Sequence, residues 1–389
     1  MANIVILTNE LPPYRKSFFD KLDEYCRGIG SRLSVLTMTE LEKGYNWNVS
    51  ELKAPYVTTM KGWHLSIPFS VHINTEVTKQ LKRMAPDVMV IGGSYMLPTV
   101  WLALHYARKL GIPCYMWNES HMNESREYGS LKLKLREAIR KGIYSKYDGF
   151  WSAGTLSDKL IKQYCRPEAK IHFVPNLIDN NLYDTAVVKN TANHSELRKK
   201  WNIPDGKKVV LIPARLLWVK GLHKFLPLLN EVEGKEDIVV LIPGTGNYQA
   251  EIEQAIAGSS VDIRLLGHQH QASMLELYSI ADLFVLPSLS DANPLSCVEA
   301  LWCKLPLLVS THVGNYPEVI SEGVNGYVFD YTDVEATKNK IAAFLNADKE
   351  WIEKAKETSY QKAQEIYNPT KVVKRLINTI LSENGLKPV

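Results

Sequence analysis

The residues best suited to chemistry are two cations, two carboxylates and a glycine turn, all in the second half of the chain. Arg215 and Lys220 follow the apolar run Val209–Pro213 and precede an amphipathic stretch. Two cations on a loop between a strand's carboxyl end and a helix start suit a diphosphate, because the helical N–H groups add to their charge. A solvated pair of surface charges is the competing reading. Asp291 and Glu299 lie eight positions apart after the run Leu283–Leu286, with Pro294 suited to the first turn of the helix between them. Carboxylates in a loop and along a helix accept hydrogen bonds from sugar or ribose hydroxyls. The plainer alternative is an acid favouring the helix dipole plus a surface Glu. Gly244 and Gly246, in Pro243-Gly244-Thr245-Gly246, let backbone approach a ligand, or simply make a tight turn. Gln249 stands where a dinucleotide fingerprint needs its third glycine, which disfavours a nicotinamide enzyme.

Positioning such residues calls for alternating strands and helices. In the first half, strands are predicted at Asn3–Thr8, Leu33–Met38, Val88–Gly92, Pro113–Trp117, Gly149–Ser152 and Ile171–Val174, with helices at Lys16–Gly28 and Thr99–Leu110. Runs such as DVMVIG fit strands buried on both faces of a parallel sheet. The polar, Asn-rich stretch 176–194 reads as an interdomain linker or a loop leading into it. A second series follows at Val209–Pro213, Ile238–Ile242, Asp262–Leu265, Leu283–Leu286 and Leu307–Ser310, with a short edge strand at Val328–Phe329. From Val334 to Leu381 the period is helical, broken at Pro369. The prediction is α/β, with two doubly wound domains: 1–190 including the linker, and 195–366. A last helix, 367–389, is expected to pack back on the first domain.

Composition narrows the classes. A 389-residue chain that is 45% hydrophobic and 23% charged is globular and long enough for two domains, which excludes disordered and fibrous readings. Its five cysteines are scattered, with no CxxC pair, HExxH motif or His/Cys cluster. A disulfide scaffold or structural zinc is therefore disfavoured, and a reducing compartment favoured. The start MANIVILTNE has no signal-peptide pattern, and the apolar stretch 88–104 is broken by Gly92, Gly93 and Pro98, so a cytoplasmic chain is expected. The net charge of +4 arises from a basic front half. No RNA-binding aromatic motif or recognition-helix pattern accompanies it, so no nucleic-acid partner is expected.

The front half offers weaker signals. Tyr14 and Arg15 follow the stiff Pro12-Pro13 loop, where a phosphate is met or a rigid surface loop simply turns. After the strand Pro113–Trp117 come Glu119 and His121, either of which can make a polar contact with a ligand or act as a general base. An ordinary loop carboxylate is the alternative. In 130–146, Leu131, Leu135, Ile139 and Ile143 recur every four residues among Lys132, Lys134, Arg136, Arg140, Lys141 and Lys146. That pattern suits an anionic membrane surface or a lipid pyrophosphate, and equally a core-packed helix with a solvated basic face. Trp63 and Trp101 are assigned to the core rather than to a membrane belt.

Arg215–x4–Lys220-Gly221, the GTG turn and Asp291–x7–Glu299, with Gly154-Thr155-Leu156-Ser157, Val174-Pro175-Asn176-Leu177-Ile178-Asp179 and Glu322-Gly323-Val324-Asn325-Gly326, together resemble a family 4 glycosyltransferase of the GT-B fold. The resemblance is dense from about residue 150 to 330. It implies two Rossmann-like domains facing a central cleft. It also implies retention of anomeric configuration, no divalent metal and no cofactor beyond a nucleotide-diphosphate sugar donor, expected to be UDP-linked. Arg215 and Lys220 would hold the diphosphate, Glu299 the ribose and Asp291 the transferred sugar. Gly244 and Gly246 would approach the donor, the segment at Gly267 and His268 would flank the base, and Asn293, Leu295 and Ser296 would line the same site. Asp291 stands where the family usually has Glu, and Pro294 where it usually has Gly, which puts the donor sugar in doubt. The implied acceptor is a lipid-linked or cell-surface glycan precursor, met at the inner membrane face. A sugar-nucleotide epimerase of the same fold, or a non-catalytic nucleotide-sugar sensor, is the rival reading.

Overall fold

The computed structural model describes residues 1–40, 52–66, 70–122 and 130–386. The chain divides into two compact units: unit 1 holds Met1–Glu119, Glu127–Ile178 and Pro369–Val389, and unit 2 holds Ser120–Arg126 and Asp179–Asn368.

In chain order the first elements are β1 (Asn3–Thr8), α1 (Pro13–Gly28), β2 (Arg32–Thr37), β3 (Val57–Thr59), β4 (Trp63–Ser66), β5 (Ser70–Ile73), α2 (Val77–Met84) and β6 (Val88–Ile91). There follow α3 (Pro98–Leu110), β7 (Cys114–Asn118), α4 (Ser130–Tyr144), β8 (Gly149–Ser152), α5 (Thr155–Tyr164) and β9 (Lys170–Phe173). Among the described residues, seven strands form a sheet in the order β3-β2-β1-β6-β7-β8-β9, all parallel. The antiparallel hairpin β4–β5 stands apart from it. Val5, Leu7, Met89 and Ile91 on the central strands pack with Val100, Ala103 and Ala107 of α3.

Unit 2 runs through α6 (Asn180–Ala192), α7 (His194–Lys200), β10 (Lys208–Leu211), α8 (Leu222–Leu229), β11 (Ile238–Pro243), α9 (Gln249–Ile256), β12 (Asp262–Gly267) and α10 (Gln271–Ile280). It continues with β13 (Leu283–Leu286), α11 (Leu295–Trp302), β14 (Leu307–Ser310), α12 (Tyr316–Val319), β15 (Gly326–Phe329), α13 (Val334–Leu345) and α14 (Lys349–Ile366). Its sheet has the order β12-β11-β10-β13-β14-β15, again parallel. Counted within the unit this is 3-2-1-4-5-6, the doubly wound order whose reversal opens a crevice at the strands' carboxyl ends. Val210, Ile212, Val240, Ile242 and Val285 form its core with Phe225, Phe329 and Phe344.

The last helix, α15 (Pro369–Glu383), belongs to unit 1. Val372, Val373, Leu376, Ile377, Ile380 and Leu381 are buried. Tyr25 of α1 donates to Asn378 at 2.9 Å, and Glu383 Oε2 lies 3.0 Å from His172 Nε2 of β9.

Three expectations need correction. The stretch 176–194 is largely helix α6, and the boundary expected at 190 falls inside that helix, whereas the units part at Ile178/Asp179. Its contact stripe is narrow: Tyr183 and Ala186 are buried, and Asn190 bonds Ser279 at 3.0 Å, so Asn-rich composition hid the period. Pro13 to Lys16 are not loop but the first turn of α1. Trp63 and Trp101 are not core: they are 77% and 50% exposed. Among the described residues, no helix is long and apolar enough to cross a membrane.

Candidate active site

The strands β10 and β13 are neighbours, with Val210 opposite Leu283 and Leu211 opposite Phe284, although two strands intervene between them in sequence. The loops that leave their carboxyl ends therefore start side by side. Leu289 N and Ser290 N both donate to Val219 O, at 2.8 and 3.3 Å. Lys220 Nζ meets Asp291 Oδ2 at 2.5 Å, with both side chains about five-sixths buried. Gly221 makes this approach possible. Its φ is +69°, and a Cβ would stand 2.0 Å from Pro287 O.

Arg215, on the same loop as Lys220, is exposed, and its guanidinium makes no side-chain hydrogen bond or ion pair among the described residues. Its loop is braced by the glycine turn: Ala214 N donates to Pro243 O at 3.2 Å and Leu216 N to Thr245 O at 3.0 Å. A Cβ on Gly244 would lie 1.9 Å from Ala214 O, and one on Gly246 would lie 2.1 Å from Leu216 O. Protein backbone therefore fills the space each glycine leaves, and the turn's first task is to seat the arginine loop. Gly267 O accepts from Gly244 N at 2.7 Å, while His268 is exposed with its ring 5.3 Å from that of His270.

Asp291 is fixed through its backbone. Its N–H donates to His312 O at 3.2 Å, and its carbonyl accepts from Gly314 N at 2.8 Å. His121 Nε2 lies 3.3 Å from that same carbonyl, and His121 is buried and grouped with unit 2. Gly314 admits this packing, since a Cβ there would be 1.7 Å from Ala292 O and 2.6 Å from His121 Cδ2. Pro294 is the N-cap of α11 rather than part of its first turn, with φ −67° and ψ 127°. Its carbonyl accepts from Asn315 Nδ2 at 3.1 Å. Leu295 and Ser296 open the helix, at the positions whose amides lack intrahelical acceptors, and Asn293 is buried just before them.

Glu299 projects from the next turn of α11. Tyr183 donates to its Oε1 at 2.8 Å and Tyr278 to its Oε2 at 2.7 Å. Burial pushes the Glu299 carboxyl up, and the hydroxyls of Tyr278 and Tyr183 pull it back toward the ionised form. Sequence reasoning missed both tyrosines. Tyr183 lay in the supposed linker, and Tyr278 reads as one more apolar position of α10.

Glu119 is placed elsewhere. It belongs to unit 1 and pairs with Arg15 Nη2 at 2.9 Å. Arg15 also donates to Thr8 Oγ1 at 3.0 Å and lies 4.5 Å from the centroid of the Trp117 ring. Burial works against the Arg15 charge, but Glu119 and Tyr14 outweigh it and raise the guanidinium's pKa. The phosphate role considered for Arg15 is thus opposed by partners already in place. On α4, Ile143 is buried but Leu135 is 62% exposed. Arg140 is buried over the rings of Tyr95 and Tyr164, which removes it from the supposed solvated face. Leu131 and Lys132 lie outside the residues whose side chains are described.

This geometry places two cations and two carboxylates on the loops and the helix that follow β10 and β13, where the strand order of the unit 2 sheet reverses. Similarity to known proteins gives it a class. Residues 193–363 match the family model described as glycosyl transferases group 1, so this part of the chain carries a glycosyltransferase group 1 domain. The chain is 24% identical over 300 residues to N-acetyl-alpha-D-glucosaminyl L-malate synthase of Bacillus anthracis, covering 76% of this chain and 75% of that protein. It is 22% identical over 343 residues to sulfoquinovosyl transferase SQD2 of Arabidopsis thaliana, covering 85% of this chain and 63% of that one. The second match thus spans less than two thirds of its relative's length. Among solved structures, Anabaena Alr3699/HepE in complex with UDP superposes with a TM-score of 0.74 at 16% identity, covering 98% of this chain and all of that one. The fold is GT-B, with two Rossmann-like α/β domains.

Proposed function

We propose that this chain is a retaining, metal-independent family 4 glycosyltransferase, moving a sugar from a UDP-linked donor to a lipid-linked or oligosaccharide acceptor. The observation that carries the reading is the Lys220–Asp291 pair beside the exposed Arg215, at the strand-order reversal of unit 2. In this mechanism Arg215 and Lys220 neutralise the diphosphate as the bond from the anomeric carbon to its oxygen lengthens. Preorganised charge of this kind acts most strongly where leaving-group charge develops. Asp291, its backbone pinned by His312 and Gly314, orients the transferred sugar together with His121, while Glu299 holds the ribose. Asn293, Leu295 and Ser296 carry the sugar and phosphate contacts at the start of α11. Gly267 and His268 flank the base, and Glu119 is kept as an acceptor-side candidate only. The positive charge is supplied by side chains, so no divalent ion is required.

The UDP preference draws on the similar Anabaena protein, which is described with UDP. A melting-temperature screen of UDP-, GDP- and dTDP-sugars tests the donor, since native-state ligands raise the midpoint. A rise with UDP-sugars, followed by sugar transfer that survives EDTA, is expected. Hydrolysis or isomerisation of the donor without an acceptor would replace this reading with the epimerase, and binding without turnover would replace it with the sensor.

A peripheral position at the inner membrane face is the second part of the proposal. Leu135 of α4 and Met96 and Trp101 of unit 1 are exposed, with Lys134 and Lys141 exposed on α4. Tyr95 links these elements, accepting from Arg136 through its hydroxyl at 3.1 Å and from Trp101 through its carbonyl at 2.7 Å. Exposed apolar side chains together with exposed lysines suit an anionic interface. Cosedimentation with phosphatidylglycerol vesicles but not phosphatidylcholine vesicles is expected, and equal partition would remove this part.

A further inference from the structure

The Glu299 carboxylate is gripped at both oxygens, one hydroxyl to each, by residues from two helices outside α11. Tyr183 and Tyr278 are 7% and 1% exposed, and their rings meet edge to face at 6.3 Å. Tyr278 is backed by Phe284 of β13, with ring centroids 6.4 Å apart. The α6 helix that supplies Tyr183 is pinned to α10 by Asn190, which donates to Ser279 Oγ at 3.0 Å. Neither hydroxyl can therefore drift without disturbing packed rings. A carboxylate offers about four lone-pair positions, so two donors leave one outward pair on each oxygen. A vicinal diol presents two hydroxyls at a spacing that matches those pairs.

We infer that Tyr183 and Tyr278 are positioning residues that set the plane of the Glu299 carboxylate so that it accepts from both hydroxyls of a ribose cis-diol. This rests on the ribose role proposed for Glu299. The titratable groups around that carboxylate are Tyr183 of α6, Tyr278 of α10, Cys297 of α11 and Cys303, the residue that caps that helix. Burial raises both thiols, which keeps them neutral. The tyrosine hydroxyls are thus the groups that favour the ionised form of Glu299.

The test measures, by calorimetry on the full chain, binding of UDP, GDP and ADP and of their 2′,3′-dideoxy counterparts. For whichever base binds, the wild type should prefer the ribonucleotide by about 10-fold or more, the scale of hydrogen bonds to a charged group. Tyr183→Phe and Tyr278→Phe should each shrink that ratio to about 3-fold or less, because the carboxylate loses its alignment. Each should also move the acid-side loss of ribonucleotide affinity to higher pH, because a donor that lowers the Glu299 pKa is gone. A merely structural tyrosine would weaken both ligands alike and leave the ratio intact. A wild-type preference that survives both substitutions overturns the tyrosine assignment alone. A wild type that binds ribo and dideoxy forms equally removes the ribose role of Glu299, and this inference with it. Should Tyr278→Phe fail to fold, Tyr183→Phe decides the matter by the same ratio.

Discussion

The two sheets reverse strand order at equivalent places, β1 beside β6 and β10 beside β13, yet they treat a cation there in opposite ways. At the unit 1 edge, Arg15 is enclosed: Thr8 and Glu119 accept from its two terminal nitrogens, and the Trp117 ring lies against its face. At the unit 2 edge, Lys220 has a single carboxylate partner and Arg215 is exposed. Burial of charge is tolerated only with close partners, so an enclosed arginine serves the fold. A cation left with spare donors is available to a ligand, which is the role proposed above for Arg215 and Lys220. Matching topology thus does not make matching sites, and the state of the cation's partners tells the two edges apart.

The sharpest way to break this contrast is to remove the unit 2 cations. Arg215→Ala or Lys220→Ala should lower turnover by about 10²–10³-fold, the usual effect of deleting one charge-stabilising donor. The unfolding midpoint should stay near wild type for Arg215→Ala, because that side chain is exposed. Turnover within a few-fold of wild type in steady-state assays would erase the distinction between the edges.

The loop packing beneath the lysine comes next. Gly221→Ala should cost about 2–4 kcal/mol, combining a positive-φ penalty with pressure on Pro287 O. Gly206→Ala shares the sign of φ but meets nothing within 4 Å, so its loss should be about 1 kcal/mol. Equal losses in chemical denaturation would mean that crowding at Gly221 is unimportant.

Arg15→Ala should act in the reverse sense from Arg215→Ala. It should destabilise the protein by about 1–3 kcal/mol, since it strands Glu119 and opens space beside Trp117, yet leave nucleotide affinity unchanged. A loss of nucleotide affinity with unaltered stability would move Arg15 into the ligand site.

The smallest effect concerns His172, where α15 meets the far edge of the unit 1 sheet. Burial depresses its pKa and Lys170 adds to this, while Glu383 opposes. A depressed histidine pKa leaves its share of stability intact above about pH 6.5 and removes it as pH falls through the folded value. His172→Gln should therefore flatten the decline in unfolding midpoint as the pH falls below about 6.5. A variant with an unchanged slope would detach His172 from that decline.

Much of the scaffold was legible because parallel strands buried on both faces are near-continuous apolar runs. Asn3–Thr8, Gly149–Ser152, Leu283–Leu286 and Leu307–Ser310 form strands with the bounds the sequence implies. The placement of Arg215, Lys220 and Asp291 on the loops that leave β10 and β13 was legible because they come after such runs. What stayed hidden depends on contacts between distant segments. The Tyr183–Glu299 bond spans 116 positions, and no local period announces it. Likewise, nothing in the spacing of Arg15 and Glu119, 104 positions apart, marks them as partners rather than as two free charges. Short, weakly apolar pieces such as β3 and the β4–β5 hairpin gave no periodic signal at all.

The placement of α15 has a consequence for biosynthesis. Because that helix lies in unit 1 but follows Asn368, the ribosome must produce all of unit 2 before the first sheet can receive its last covering helix. Until then the surface that Leu376, Ile377 and Ile380 will cover waits bare in the nascent chain.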